Sequence, residues 1–371
     1  MGFFTTIALC FFLVILVFSI YRLIHKNKIN VEYNSSGQIA KYITKMKSLQ
    51  RSYSPTPWLL NCHFQTVWGM RYRKKPRFTP RRETFIFEDQ GNAVLDWFED
   101  ETMNENTPIV VISHTLAGGT REPVIANFAM SCLRHGWRAV VANHRGCSGA
   151  KITSSRIYNA IQIDDLHNIV LHCHEEFKPK NLFIAGFSLG ALQSLQYSAK
   201  LADPKIVQGI CVVSHIYDSY PASVHLSDWP QIKLYTPIIM IKLKHMLDKA
   251  GEYLDHKELI EPARKTRTMD EFDDVFTAKY LGLKDNKEYY SKSACYQYIP
   301  IVKVPTLILG ADDDPFTYKR LLPITDCRNS ENVALVHTAE GGHVSFISGL
   351  NGDKSLIDSV LPDFINAIIT A

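Results

Sequence analysis

NLFIAGFSLGALQSLQYSAKL, residues 181–201, reads as a short buried strand running into a helix through Gly186-Phe187-Ser188-Leu189-Gly190. A serine between two glycines at such a junction occupies a sharp, strained turn, and the glycines let strand and helix approach without side-chain clash. The Ser188 hydroxyl then stands at a helix amino terminus, where the dipole and free N–H groups favour a developing negative charge. The spacing therefore makes Ser188 a candidate nucleophile and the Leu189 N–H a candidate donor to an oxyanion.

A bare G-x-S-x-G recurs by chance, so its companions matter. Downstream, PTLILGADDDPF (residues 305–316) is a buried strand ending in three acids, and VALVHTAEGGHVSF (residues 333–346) is another ending at Gly341-Gly342-His343. The chain order Ser, Asp, His is the one this strand–turn–helix context requires. In that arrangement His343 takes the serine proton and an acid orients the imidazole. The acid is assigned to Asp314, directly before Pro315, with Asp313 as the alternative. A solvated turn would explain the acids alone and a structural histidine would explain His343 alone, but neither explains both in order behind strands. A second oxyanion donor belongs in the loop after Ile109–Ser113, and the backbone N–H of Leu116 is nominated.

Working outward, strand patterns fall at Glu83–Phe87, Ala93–Phe98, Ile109–Ser113, Ala139–Ala142, Asn181–Ala185, Ile210–Val213, Thr306–Leu309 and Val333–Val336, with helical patterns between most of them. This alternation predicts a mainly parallel, doubly wound sheet covered on both faces; the Ser, Asp, His order at its strand ends makes the expected fold the α/β-hydrolase fold. From Ser214 to Tyr298 no strand pattern appears, only amphipathic stretches at 232–247 and 269–280. This insertion, about 215–300, is expected to form a helical cap.

The amino-terminal run FFTTIALCFFLVILVFSIY, Phe3 to Tyr21, carries no charge and has the length of a spanning helix. No basic region precedes it and no small-residue cleavage site follows, so a retained anchor over residues 1–24 outweighs a removed signal. Arg22, Lys26 and Lys28 after it favour the cytoplasmic side for the domain, whereas the acceptor sequon Asn34-Ser35-Ser36 would suit a lumenal one; an internal membrane is expected. Residues 25–54 then read as a juxtamembrane connection and 55–371 as the catalytic domain. RYRKKPRFTPRR, residues 71–82, is either a contact for anionic head groups or a solvated loop.

The 371 residues are 46% hydrophobic and 21% charged, which excludes disorder and a multi-span protein. A net charge of +4 gives no reason to expect a nucleic-acid partner. Eight scattered cysteines without a CxxC pair read as free thiols. His172-Cys173-His174 is not read as a metal site, because neighbours on a helix diverge. No phosphate-binding glycine loop occurs, so no cofactor and no metal are expected. His144-Arg145-Gly146 reads as a rim contact or a structural anchor.

PTPWLLNCHFQTVW, LDWFED, SHTLAGGT, NHRGCSGA, GFSLGA, TMDEFDDVFTAKYLGL, VPTLILGADDDPF and GGHVSF together resemble the YheT-like branch of the α/β-hydrolases, the membrane-anchored abhydrolase-domain proteins of types one to three. The resemblance runs from Pro55 to the carboxyl end. It implies esterase, lipase or phospholipase activity and supports Ser188, the acid before Pro315 and His343 as the triad. One departure stands out: the family's oxyanion loop begins His-Gly, and here Thr115 replaces the glycine. If that position needs positive φ, threonine strains it. Transfer of the acyl group to an alcohol, or a non-catalytic membrane scaffold, are the competing readings.

Overall fold

The computed structural model describes residues 2–24, 27–317 and 319–371. Its first helix, α1 (Gly2–Ile24), has 23 residues. Several of its side chains lie outside the described residues, and among those described no helix is long and apolar enough to cross a membrane.

Nine strands form one sheet: β1 (Ile29–Glu32), β2 (Arg81–Ile86), β3 (Asn92–Phe98), β4 (Ile109–Ser113), β5 (Arg138–Asn143), β6 (Leu182–Phe187), β7 (Gly209–Val213), β8 (Thr306–Ala311) and β9 (Val333–Thr338). Their spatial order is β1-β9-β8-β7-β6-β4-β5-β3-β2. From β5 across to β9 every pairing is parallel, while β3 pairs antiparallel with β5 and with β2.

Each of the eight runs that reads as a strand is present, and β1 is an addition. It lies in the segment expected to be a plain connection, 25–54, and pairs antiparallel with β9 from Ile29 opposite Thr338 to Glu32 opposite Leu335. Four residues, INVE, are too few for alternation to register. The strand covers the backbone edge that β9 would otherwise expose. Ile39, Tyr42, Ile43 and Met46, from the same segment, are buried in the core beside Phe364. The folded body thus begins well before residue 55.

Ahead of β2 a short helix, α2 (Cys62–Val67), starts at Asn61, whose side chain accepts the N–H groups of His63 and Phe64. Two helical layers cover the sheet. Within β4, Val110 and Ile112 enter one core while Ile109 and Val111 enter the other, the period of two that a strand imposes. The first core is closed by α3 (Pro123–Arg134), which opens on a proline and is followed by Gly136 at φ +74. The second is closed by α4 (Asp164–Phe177) and α5 (Leu189–Lys200); two aspartates in the first turn of α4 face its positive end.

Between β7 and β8 the insertion holds α6 (Ser219–Leu226), α7 (Thr236–Ala250) and α8 (Asn286–Ser293), with no strand. Both long helices expected there are interrupted. Pro237 in the first turn of α7 cannot donate to the preceding turn, Gln231–Leu234, so the pattern at 232–247 breaks at Tyr235. The pattern at 269–280 is split by one π-helical turn, Asp273–Thr277. The insertion has a small core of its own, in which Met240, Leu243, Leu247, Phe272 and Phe276 meet Ile152 and Ile157. The last helix, α9 (Ile357–Ile369), lies in the first core through Val360, Leu361 and Phe364.

Candidate active site

Ser188 sits between β6 and α5 with φ +54 and ψ −112, a conformation that side chains avoid. Surrounding structure holds it there: the Ser188 N–H donates to Val213 O at 3.0 Å and the Gly190 N–H to His114 O at 3.1 Å. A β-carbon at position 186 would lie 2.4 Å from Gly190 O, and one at position 190 would lie 2.3 Å from Ser113 O. Both glycines are therefore required by close backbone approach. Leu189 opens α5, so its N–H has no carbonyl one turn back to bond.

His343 Nε2 is 2.8 Å from Ser188 Oγ. On the other side of the ring, Nδ1 is 2.9 Å from Asp314 Oδ2 and 3.1 Å from Oδ1. A carboxylate only accepts, so Nδ1 carries the proton and Nε2 is free to take that of the serine. The Phe316 N–H donates to Asp314 Oδ1 at 2.8 Å, and the Phe316 ring stacks on the imidazole with centroids 4.1 Å apart. All three triad candidates are buried or nearly so.

The three consecutive aspartates divide the work. Asp312 meets His337 Nδ1 at 2.7 Å and Lys319 Nζ at 2.5 Å. Asp313 does not reach the His343 ring; its Oδ1 accepts the Gly342 N–H at 3.0 Å. Burial, with Asp314 alongside, pushes the Asp313 carboxyl up to about 7. Asp314 alone of the three meets His343. Behind it His215 is held neutral, its pKa lowered to about 4 by burial against the opposing pull of Asp314.

The His343 loop contains strain that its sequence does not announce. Val344 and Phe346 adopt φ +50 and +49, and for a β-branched residue that is an outlier. Two hydroxyls hold the loop: Thr66 Oγ1 accepts the His343 N–H and Ser214 Oγ accepts the Val344 N–H, each at 2.9 Å. Neither residue type signals chemistry. Thr66 lies within PTPWLLNCHFQTVW, part of the family resemblance, which is the one signal that could have found it.

Thr115 does not carry the strain expected of it. The left-handed residues of the loop after β4 are Ala117 at φ +49 and Gly119 at φ +136. Thr115 Oγ1 instead donates to Glu122 Oε1 at 2.6 Å, and Glu122 Oε2 accepts the Gly119 N–H at 3.2 Å. The side chain that replaces glycine thus ties the loop to the start of α3. Below the loop, His144 stacks on Tyr158 and its Nε2 meets Ser113 Oγ at 3.0 Å. Burial lowers the pKa of both His114 and His144, which favours their neutral forms. Arg145 is an anchor, forked onto Asp165 and Asp89 and 1% exposed.

His172 meets Glu83 at 2.7 Å and Glu176 at 3.1 Å on the outer face of α4, while Cys173 is turned into the core. The adjacent pair thus diverges as a helix requires. Ligand-type atoms of Glu83, His172 and Glu176 lie within 4.8 Å of one another. The Trp97 Nε1–H also donates to Glu83, which makes this cluster part of the β2–β3 to α4 contact.

Ser188 and His343 open on a cavity of about 540 Å³. Leu116, Leu189 and Leu192 line it from the sheet side, and Ile239, Leu243 and Met269 from the cap. Its walls are mostly apolar, and the two nominated oxyanion donors are on residues that line it beside the serine.

A family model described as the alpha/beta hydrolase fold matches residues 108–350. An abhydrolase domain-containing protein of Dictyostelium discoideum is 30% identical over 302 residues, 80% of this chain and 76% of that protein. A Bos taurus protein named phospholipase ABHD3 is 26% identical, across 86% of this chain and 79% of its own length. An Escherichia coli (strain K12) protein named putative esterase YheT is 27% identical, across 87% and 96%. The stretch matched by the family model holds Ser188, Asp314, His343, the cap and the strands that position them, and the chain belongs to the α/β-hydrolase fold family.

Proposed function

We propose that the chain is a membrane-anchored serine hydrolase that cleaves acyl esters of lipids through an acyl-Ser188 intermediate. The observation that carries this reading is the line from Ser188 Oγ through His343 to Asp314, opening on a mostly apolar cavity. Relatives named phospholipase and esterase support the ester as the bond attacked.

In this mechanism Ser188 Oγ attacks the ester carbonyl carbon while its proton passes to His343 Nε2. The carbonyl oxygen becomes an oxyanion, stabilised by the N–H groups of Leu116 and Leu189. Collapse breaks the bond to the alcohol, which leaves with the proton from His343. A water then gives a proton to His343 and attacks the acyl carbon, releasing the carboxylic acid and restoring the serine. Asp314 keeps Nδ1 protonated throughout and stabilises the transient imidazolium. The hydrogen bond from Thr115 to Glu122 supports an intact oxyanion loop over the scaffold reading.

The anchor in this reading is residues 1–24, which include α1. An uncharged run from Phe3 to Tyr21 and outward-facing Phe4, Ile7, Phe12, Val14 and Val17 support a span. Basic residues after it favour a cytoplasmic domain.

Labelling of the full chain in membranes with a fluorophosphonate, wild type beside Ser188→Ala, tests the nucleophile. The expected outcome is labelling of the wild type only; folded wild type that takes no label would overturn the reading.

A further inference from the structure

Three side chains that line the cavity, Val67, Leu234 and Ile238, are also exposed, at 43%, 43% and 58%. They therefore mark its mouth. The apolar surface continues outward from them. Phe64, one turn before Val67 in α2, is 56% exposed, and Ile241, three residues beyond Ile238 in α7, is 69% exposed. The two stripes adjoin, because His63 Nδ1 at the start of α2 and the Tyr235 hydroxyl just before α7 are 2.9 Å apart. The rim is thus continuous with the cavity wall made by Leu116, Ile239 and Leu243. Exposed apolar surface of this kind, joined to a ligand cavity, marks a place of contact.

Charge selects the occupant. Arg71, Lys75, Arg121 and Lys242 also line the cavity. The carboxylates of that lining are turned elsewhere: Glu122 accepts from Thr115 and Gly119, and Asp273 is buried against Thr277 and Tyr290. Cations bordering an apolar mouth complement a surface whose outermost layer is anionic and whose next layer is hydrocarbon. Arg71 and Lys75 belong to the basic stretch 71–82, in which Arg73, Arg81 and Arg82 are ion-paired to Asp358, Glu99 and Asp96.

We infer that the face formed by α2 and the start of α7 docks against an anionic lipid bilayer, so that an acyl chain passes from the membrane into the cavity without crossing water. The docking stands apart from catalysis; only the passage of the chain rests on the proposed hydrolysis.

The test uses the full chain in vesicles of phosphatidylcholine with and without phosphatidylserine. A dansyl amino acid is placed at position 241 or, as a control, at position 105 in the loop before β4, at the opposite edge of the sheet. The expected result is a blue-shifted emission at 241 that nitroxide-labelled acyl chains quench, more strongly with phosphatidylserine, and neither effect at 105. Arg71→Gln with Lys75→Gln should remove the phosphatidylserine enhancement. Ile241→Asp and Phe64→Asp should each lower the ratio of vesicle-embedded to soluble ester hydrolysis by about tenfold, the scale of one large apolar group leaving an interface. Equal quenching at 241 and 105, or quenching indifferent to phosphatidylserine, overturns the inference. A shift that follows protein density rather than lipid charge also overturns it, by making a second copy of this chain the occupant. Docking seen in a protein that takes no fluorophosphonate would uphold this inference while sinking the hydrolase reading.

Discussion

The carboxyl edge of the sheet and the cap face each other across one cavity, but they are built differently. Ser188, Asp314 and His343 come from three loops that each follow a parallel strand, and every loop is fixed by backbone hydrogen bonds to a neighbour. The cap has a small core of its own and helices broken by Pro237 and by a π-helical turn. The candidate triad is thus held on loops tied to their neighbours, while much of the facing cavity wall comes from a cap of interrupted helices. Over-determined surroundings are what allow strain at Ser188, Val344 and Phe346 to persist.

The sharpest way to break this comparison lies within the aspartate run. Asp314→Asn should lower kcat by about 10⁴, as loss of the orienting acid does in serine proteases, with the fold intact. Asp313→Ala loses a carboxylate bonded to the backbone of the Gly341-Gly342 turn and should cost about tenfold in kcat and about 1 kcal/mol of stability. Steady-state kinetics with a soluble ester and chemical unfolding of both variants check the pair. Equal losses in kcat would mean that the two carboxyls share the acid role and that the edge is less strictly partitioned than its hydrogen bonds indicate.

This division also separates what was legible in the sequence from what was not. Ser188, Asp314 and His343 could be placed because each follows a buried β-branched run, and a strand's end fixes where the next residues emerge. Eight strands were legible for the same reason. β1 was not, because INVE is too short for a pattern and forms against an edge just over three hundred residues away. Thr66 and Ser214 act through hydroxyl contacts to a loop distant in sequence, and Glu122 through a carboxylate shared by Thr115 and Gly119 in its own loop; no period of the sequence announces either. The break at Tyr235 follows from Pro237 and was readable; the π-helical turn at Asp273 depends on tertiary contacts and was not.

A smaller effect tests whether Thr115 belongs to the tied side. Thr115→Val keeps the shape and removes the donor to Glu122, leaving a half-buried carboxylate with one partner fewer. The expected cost is about 1–2 kcal/mol in chemical unfolding and up to about tenfold in kcat, with Thr115→Ser restoring most of both. A Thr115→Gly protein faster than wild type would show that the loop works better untied and would take it off the tied side of the comparison.

The smallest effect separates the two sides by titration. Asp273, in the cap, accepts from the Thr277 hydroxyl at 2.7 Å and the Tyr290 hydroxyl at 3.0 Å, and burial pushes its carboxyl up to about 7. An unfolded aspartate titrates near 3.9, so between about pH 4 and 7 the folded state keeps a proton that the unfolded state gives up. A raised carboxyl therefore makes stability fall as pH rises through this window and level off above it. Between pH 6 and 8 the loss attributable to Asp273 is on the order of 1 kcal/mol. Asp273→Asn should flatten the stability profile by that amount while keeping an acceptor oxygen for one of the two hydroxyls and placing its NH2 against the other, which can accept from it. Asp313, on the sheet edge, is pushed to the same region and has the same sign. Thermal unfolding of Asp273→Asn and Asp313→Asn across pH 6 to 8 therefore assigns the slope. If only the Asp313 variant flattens it, the titrating strain resides with the triad loops, and the cap contributes shape without charge.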